Sequence, residues 1–242
     1  MPASRRGCAE PLGVALAPDG VNVAVQSAHA EAIEFCVFDD AGSVEVARIA
    51  LSGRTGDVFH GFVRDVAPGA RYGLRAHGPW APHAGHRFDG NKLLVDPYAL
   101  ALDRPFALHM SMMPPTATER GAADSGPFVP KGIVTSAPPP VADTRPRVPW
   151  ANTIIYELHV RGFTRTHPGV PEALRGTCAG LAHPTAIAHL RRLGVTTVEL
   201  LPIAAAIDEP HLARLGLTNY WGYNPVAFFV PDPRLAPGGI EE

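Results

Sequence analysis

Residues 21–77 read VNVAVQSAHAEAIEFCVFDDAGSVEVARIALSGRTGDVFHGFVRDVAPGARYGLRAH. Val21, Val23 and Val25 share one face of a strand, and Ile33, Phe35 and Val37 share one face of the next. Val58–Val63 and the set Tyr72, Leu74 and Ala76 supply two more. Between them lie turn signals: Asp39-Asp40-Ala41-Gly42, Ser52-Gly53-Arg54-Thr55-Gly56 and Pro68-Gly69, with Pro18-Asp19-Gly20 just upstream. Short alternating strands at regular spacing, cut by Gly and Asp, predict an antiparallel sandwich. Periodicity alone does not separate this from a small barrel.

Working outward, residues 111–149 differ sharply. Nine prolines fall between Met110 and Trp150, including Pro138-Pro139-Pro140. Proline fixes φ and removes a backbone donor, so neither helix nor central strand is expected. The stretch reads as an extended surface connector between a domain at 1–110 and another at 150–242. In the latter, Thr153–Val160 (TIIYELHV) and Val195–Leu201 (VTTVELL) are nearly continuous apolar and β-branched runs, the pattern of strands covered on both faces. Between them Pro184 opens a helix, Ile187, Leu190 and Leu193 follow at helical spacing, and Gly194 closes it. Strand, helix and strand in this order predict a βαβ unit with parallel strands. A (β/α)8 barrel takes about 250 residues, and Gly238-Gly239-Ile240-Glu241-Glu242 reads as a helix opening. The expectation is the truncated start of a TIM barrel.

Composition narrows the function. Of 242 residues 46% are hydrophobic and 18% charged, with 24 glycines and 26 prolines, which argues against a wholly disordered chain and predicts many turns and little long helix. A net charge of −2 supplies no basic field for nucleic acid or anionic lipid. Cys8, Cys36 and Cys178 are odd in number and far apart, which fits neither a disulfide framework nor a zinc site and suits a reducing compartment. No apolar run follows Arg5-Arg6 as a leader, and none reaches the ~20 residues of a membrane span. The expected setting is cytoplasmic.

No GxxxxGK[ST], GxGxxG, HExxH, GxSxG or CxxC occurs. His77, His83 and His86 sit together in a Pro/Gly-rich loop and read as hydrogen-bonding histidines; no metal and no cofactor are expected. Glu157 and Glu199 fall in the two parallel strands. They could pair as acid and base across a glycosidic bond, but barrel catalysts sit at or beyond strand ends. The favoured reading is buried carboxylates held by His159, Arg161 or a neighbour. Tyr220-Trp221-Gly222-Tyr223 lies in the loop after the second strand, where it reads equally as a sugar-stacking wall or as a plug on the barrel rim.

Four segments then carry a resemblance: RYGLRAHGPWAPHAGHRFDGNKLLVDPYA from Arg71, PWANTIIYELHVRGFT from Pro149, HLRRLGVTTVELLPI from His189 and LTNYWGYNPVAFFVPDPR from Leu217. In sequence and order they resemble the isoamylase-type glycogen debranching enzymes of glycoside hydrolase family 13. The resemblance implies an N-terminal immunoglobulin-like sandwich of the carbohydrate-binding module family 48 type, fused to a barrel that cleaves α-1,6 branches. It implies a retaining mechanism with two carboxylates, and glycogen or another branched α-glucan as partner. The family's nucleophile and acid/base lie on later barrel strands, so no residue here inherits a catalytic role. Tyr223 matches the family's sugar-contacting aromatic, with Tyr220 and Trp221 flanking it; the sandwich's own binding aromatics are not placed, and Trp80 reads either as one of them in an exposed loop or as a residue docked on the barrel. The chain is read as an N-terminal fragment; the rival is a non-catalytic glucan-binding or regulatory protein. A trehalose-releasing or branching enzyme of the same superfamily would need different loops elsewhere.

Overall fold

In the computed structural model, residues 4–116, 118–136 and 142–237 are described. Seven strands form the body of a sandwich: β1 (Gly13–Ala17), β2 (Gly20–Gln26), β3 (Ala32–Phe38), β4 (Glu45–Ala50), β5 (Gly53–Thr55), β6 (Val58–Arg64) and β7 (Arg71–His77). A small hairpin, β8 (Trp80–Ala81) with β9 (His86–Arg87), follows, and β10 (Gly132–Ile133) joins from farther along the chain. The two four-stranded sheets run β1-β2-β6-β5 and β10-β7-β3-β4, with every pairing antiparallel.

The alternation puts the apolar residues between the sheets. Val21, Val23, Ile33, Phe35, Phe59, Val63, Tyr72 and Leu74 are buried in one cluster, with the Phe35 and Tyr72 rings stacked at 5.3 Å. Each fully buried side chain of this size contributes roughly 1.5–3 kcal/mol, so this core holds the sandwich. Tyr72 also donates to Asp96 Oδ2 at 2.9 Å inside it.

The expected connector is not all connector. Residues 125–134 close the outer face of the β3–β7 sheet: Val129 packs with Cys36, Phe38 and Leu93, and β10 pairs along β7. Arg75, 1% exposed, fastens this covering, donating to Glu45, to Asp124 at 2.8 Å and to the Gly90 carbonyl at 2.9 Å. The other side of β10 is paired as well: the Asp103 N–H donates to the Lys131 carbonyl at 3.0 Å and the Ile133 N–H to the Ala101 carbonyl at 2.9 Å, so Gly132 and Ile133 lie between β7 and residues 101–103. Sheet pairing therefore continues past residue 110, where the sequence places the end of the sandwich. Pro138-Pro139-Pro140 and the helix opening at 238–242 lie outside the described residues.

Beyond residue 150, β11 (Ile155–Leu158) and β12 (Thr197–Leu200) pair in parallel, as the strand–helix–strand pattern predicts. Between them run α1 (Val160–Thr164), α2 (Cys178–Leu181) and α3 (Pro184–Arg192). Gly194, at φ +75°, takes the left-handed conformation that ends α3. The strands are shorter than expected and mostly exposed: Ile155, Val198 and Leu200 all face solvent, bare of the neighbours that their covered-strand pattern is built to meet. Only these two strands make up the parallel sheet among the described residues. Glu157 and Glu199 are exposed as well and, among the described residues, accept no hydrogen bond or ion pair, which corrects their reading as buried carboxylates.

The chain then forms β13 (Ala204–Ala206), α4 (Pro210–Arg214) and β14 (Pro225–Pro231), with β13 antiparallel to β14. Ala205, Ala227 and Val230 bury against Ala99, with Val95 and Leu102 alongside, so this pair of strands docks on the segment that leaves the sandwich. Among the described residues no helix is long and apolar enough to cross a membrane.

Candidate functional site

A cleft of about 340 Å³ opens at the carboxyl ends of β11 and β12. His159 and Arg161 enter it directly after β11, Pro202 after β12, and Asn219, Tyr220 and Gly222 from the loop between α4 and β14. The other wall is Asp232 and Arg234, just past β14.

Beneath the loop is a charged support. Arg234 donates to Asp232 at 2.7 Å and to Asp208 at 3.1 Å, and these carboxylates, Asp232 foremost, hold its guanidinium above its ordinary range. Asp208 Oδ1 also accepts the Asn219 backbone N–H at 2.7 Å. Asn219 in turn accepts the Gly222 N–H at 2.9 Å, closing a tight turn in which Gly222 sits at φ +78°. A β-carbon at Gly222 would stand 3.0 Å from the Pro202 carbonyl, so the loop folds over the end of β12 only with glycine here. Glu209 Oε1 accepts from the side chains of Asn219 and Asn224 at 3.1 and 3.4 Å.

The three aromatics part company on this support. Tyr220 lines the cleft and stacks on His159, ring centroids 4.0 Å apart and planes 7° from parallel. Trp221 and Tyr223 stay in solvent, 63% and 64% exposed, with rings 6.3 Å apart at 59°. Tyr220, 51% exposed, packs one face on His159, while among the described residues Trp221 and Tyr223 make no such stack with the strand ends. His159 and Arg161 carry a different role from the carboxylate-holding one considered for them. The clue available in the sequence was position, since both follow the carboxyl end of an apolar strand.

The remaining candidates lie elsewhere. Trp80 is half-buried on the sandwich hairpin, its indole N–H donating to the Thr118 carbonyl at 2.7 Å and its ring under Arg120. Of its two readings, docking on the barrel is not met: its partners are residues 118–120. His77 Nε2 bonds Glu34 at 2.8 Å, His86 meets His29 edge-on at 4.7 Å, and His83 is exposed. Among the described residues no three His, Cys, Asp or Glu side chains converge as a metal site would require.

Comparison with known proteins bears on both halves. Residues 11–99 match carbohydrate-binding module 48, the isoamylase N-terminal domain. The chain is 47% identical over 233 residues to the glycogen debranching enzyme of Yersinia enterocolitica, covering 96% of this chain and 35% of that one. It is 47% identical over 232 residues to that of Enterobacter sp. strain 638, covering 93% and 34%. It therefore spans about a third of the length of these relatives. The pullulanase of Bacillus acidopullulyticus superimposes with a TM-score of 0.64 at 17% identity, over 93% of this chain and 25% of that one. The catalytic module of the glycogen-degrading pneumococcal virulence factor SpuA does so at 0.63 and 19%, over 93% and 32%. At such identities the likeness concerns the fold alone.

Proposed function

We propose that this chain, whose sandwich belongs with the isoamylase-type carbohydrate-binding modules and whose relatives are glycogen debranching enzymes, is the N-terminal part of a glycoside hydrolase. That enzyme hydrolyses α-1,6-glucosidic branch linkages in glycogen and limit dextrins, in the cytoplasm and without a cofactor. Its sandwich module comprises the expected 1–110 domain together with the edge at 125–134. The β11–α3–β12 unit is the opening of its (β/α)8 barrel, and residues 135–149 lead from one to the other.

The observation that carries this reading is the exposed Trp221–Tyr223 pair beside a cleft at the carboxyl ends of two parallel strands. Barrel enzymes build their sites on that face. Aromatic faces offer apolar area to the C–H faces of a sugar ring while its hydroxyls stay hydrated. Tyr223 is assigned the ring that stacks on the sugar next to the scissile bond, with Trp221 and Tyr220 completing the wall. In the retaining mechanism one carboxylate forms the glycosyl-enzyme and a second acts as acid and then base. Glu157 and Glu199 are assigned neither role, because both lie inside the strands. With no catalytic carboxylate, the chain alone binds branched glucan and does not cleave it.

The test uses both forms of the protein. The 242-residue chain, incubated with branched limit dextrin, should release no reducing ends above a heat-killed control, yet be retarded in glycogen-containing native gels. In a full-length debranching enzyme carrying this chain, Tyr223→Ala should lower kcat/KM by roughly 5- to 150-fold, taking base-on-aromatic stacking of ~1–3 kcal/mol as the guide. Cleavage by the chain alone, or an unchanged kcat/KM in Tyr223→Ala, overturns the assignment.

A further inference from the structure

We propose that His159 is the positioning residue of the aromatic loop. Held as the neutral Nε2–H tautomer, it latches Tyr220 and thereby fixes where Trp221 and Tyr223 stand at the cleft. The functional consequence rests on the glucan-binding reading above, but the latch itself needs no ligand.

Three contacts converge on Tyr220. The imidazole lies flat against its ring at 4.0 Å. His159 Nε2 donates to its backbone carbonyl at 2.6 Å, across 61 residues of sequence. Its hydroxyl lies against Gly162, where an added β-carbon would stand 2.8 Å away. Meanwhile His159 Nδ1 accepts the Gly162 N–H at 3.2 Å, capping the first turn of α1. A carbonyl can only accept and a backbone N–H can only donate, so a single protonation pattern serves both bonds: hydrogen on Nε2, lone pair on Nδ1. The capping bond thus sets the tautomer, and the tautomer sets the latch.

The effect passes to the sugar-facing rings through the backbone. The carbonyl that His159 holds belongs to the peptide leading into Trp221. On its other side Asn219 is already pinned to Asp208, and the Gly222 N–H to Asn219. Residues 219, 220 and 222 are therefore fixed, and Trp221 and Tyr223 project from a rigid frame although their side chains are mostly exposed. Without His159, no hydrogen bond among the described residues holds the Tyr220 peptide from the β11 side. A stacking platform ordered in advance avoids the entropy that a mobile one loses on binding.

The experiment is NMR on the isotope-labelled 242-residue chain. In the wild type, the His159 ring nitrogens should show the Nε2–H pattern, and the Trp221 and Gly222 amides should be as rigid as those of β14, with order parameters near ~0.85. His159→Ala should drop those two amides below ~0.6. His159→Gln keeps a side-chain N–H that reaches the Tyr220 carbonyl, and should recover most of the loss, which a mere packing role would not produce. Should His159→Ala fail to fold, Gly162→Ala displaces the Tyr220 hydroxyl from a helical position that tolerates alanine, and should loosen the same amides. An Nδ1–H pattern, rigid amides in both alanine variants, or a glutamine variant no better than alanine overturns the proposal. Titration with maltoheptaose is scored separately: a wild type that shows the latch but no shift at Trp221 or Tyr223 retires the glucan reading and leaves the latch standing.

Discussion

Glu157 and Glu199 stand directly opposite one another in the parallel register of β11 and β12, both exposed. Two carboxylates side by side on one sheet face repel, and like charges in neighbouring positions cost a few tenths of a kcal/mol. A pair kept for catalysis would instead be shielded and hydrogen-bonded, and these are neither among the described residues.

Neutralising either one should therefore help slightly. Glu157→Gln and Glu199→Gln are each expected to raise the stability of the chain by about 0.2–0.5 kcal/mol at low salt. The double variant should gain no more than a single one, because one charge suffices to end the repulsion. In 1 M salt, where the screening length falls to about 3 Å, the gain should vanish. Denaturant titrations measure all three. A loss of stability in either single variant means that its carboxylate has a partner.

Lys131 supplies a pH signature for the sandwich. It is fully buried, donates to the Val129 carbonyl and lies with its amine 4.6 Å over the Phe38 ring. Burial, partly countered by the Asp103 carboxylate, pushes the amine down from 10.5 to about 8. Above pH 8 the folded protein releases this proton while the unfolded chain keeps it, so stability rises with pH until about 10.5. Cys36 works the other way, because burial lifts its thiol to about 12 and the unfolded chain ionises first. The informative quantity is the wild type minus Lys131→Met. That difference should favour the variant most at pH 7 and shrink by up to about 3 kcal/mol on the way to pH 10.5. A difference that stays flat with pH means that the amine is not desolvated.

Much of this molecule was legible in residues whose partners are near in sequence. β2, β3, β6 and β7 announce themselves because each alternates over several residues and the turns between them are short. β10 does not, since two residues carry no periodicity and their partner on β7 lies about sixty positions away. The apolar runs at 153–160 and 195–201 read as strands built for cover on both faces, and the start of a barrel leaves such strands bare, as Ile155, Val198 and Leu200 are. Apolar composition records what a strand is built to meet, and here its neighbours are absent from the described residues. At the site, Tyr220, Trp221 and Tyr223 stood out by type. The latch did not: a histidine bonded to a carbonyl 61 residues on leaves no local trace.

The rings of Tyr98 and Phe229 stack at 5.6 Å, joining the end of the sandwich module to β14, and the alanine-rich cluster around Ala99 and Ala227 lies beside them. Together with Arg75 on the far sheet, this contact decides how the chain comes apart. Trypsin should cut first after Arg147, which is exposed. It should spare Lys131, which is fully buried beneath the edge that Arg75 holds through Asp124. The resistant core should therefore run past residue 131 and not end near 110. Arg75→Met unties Asp124 and Gly90 together, so cleavage after Lys131 should appear while the rest of the sandwich persists. Phe229→Ala should act only at the other end. Losing an aromatic pair and part of its buried area costs roughly 1 kcal/mol, which raises digestion of the β13–β14 segment about fivefold where cleavage follows local opening. Mass spectrometry of timed digests reads both. If Lys131 is cut as early as Arg147 in the wild type, residues 125–134 are not part of the module. If Phe229→Ala speeds cleavage inside the sandwich as much as in β13–β14, the two halves open as one unit and the stacked pair is not their joint.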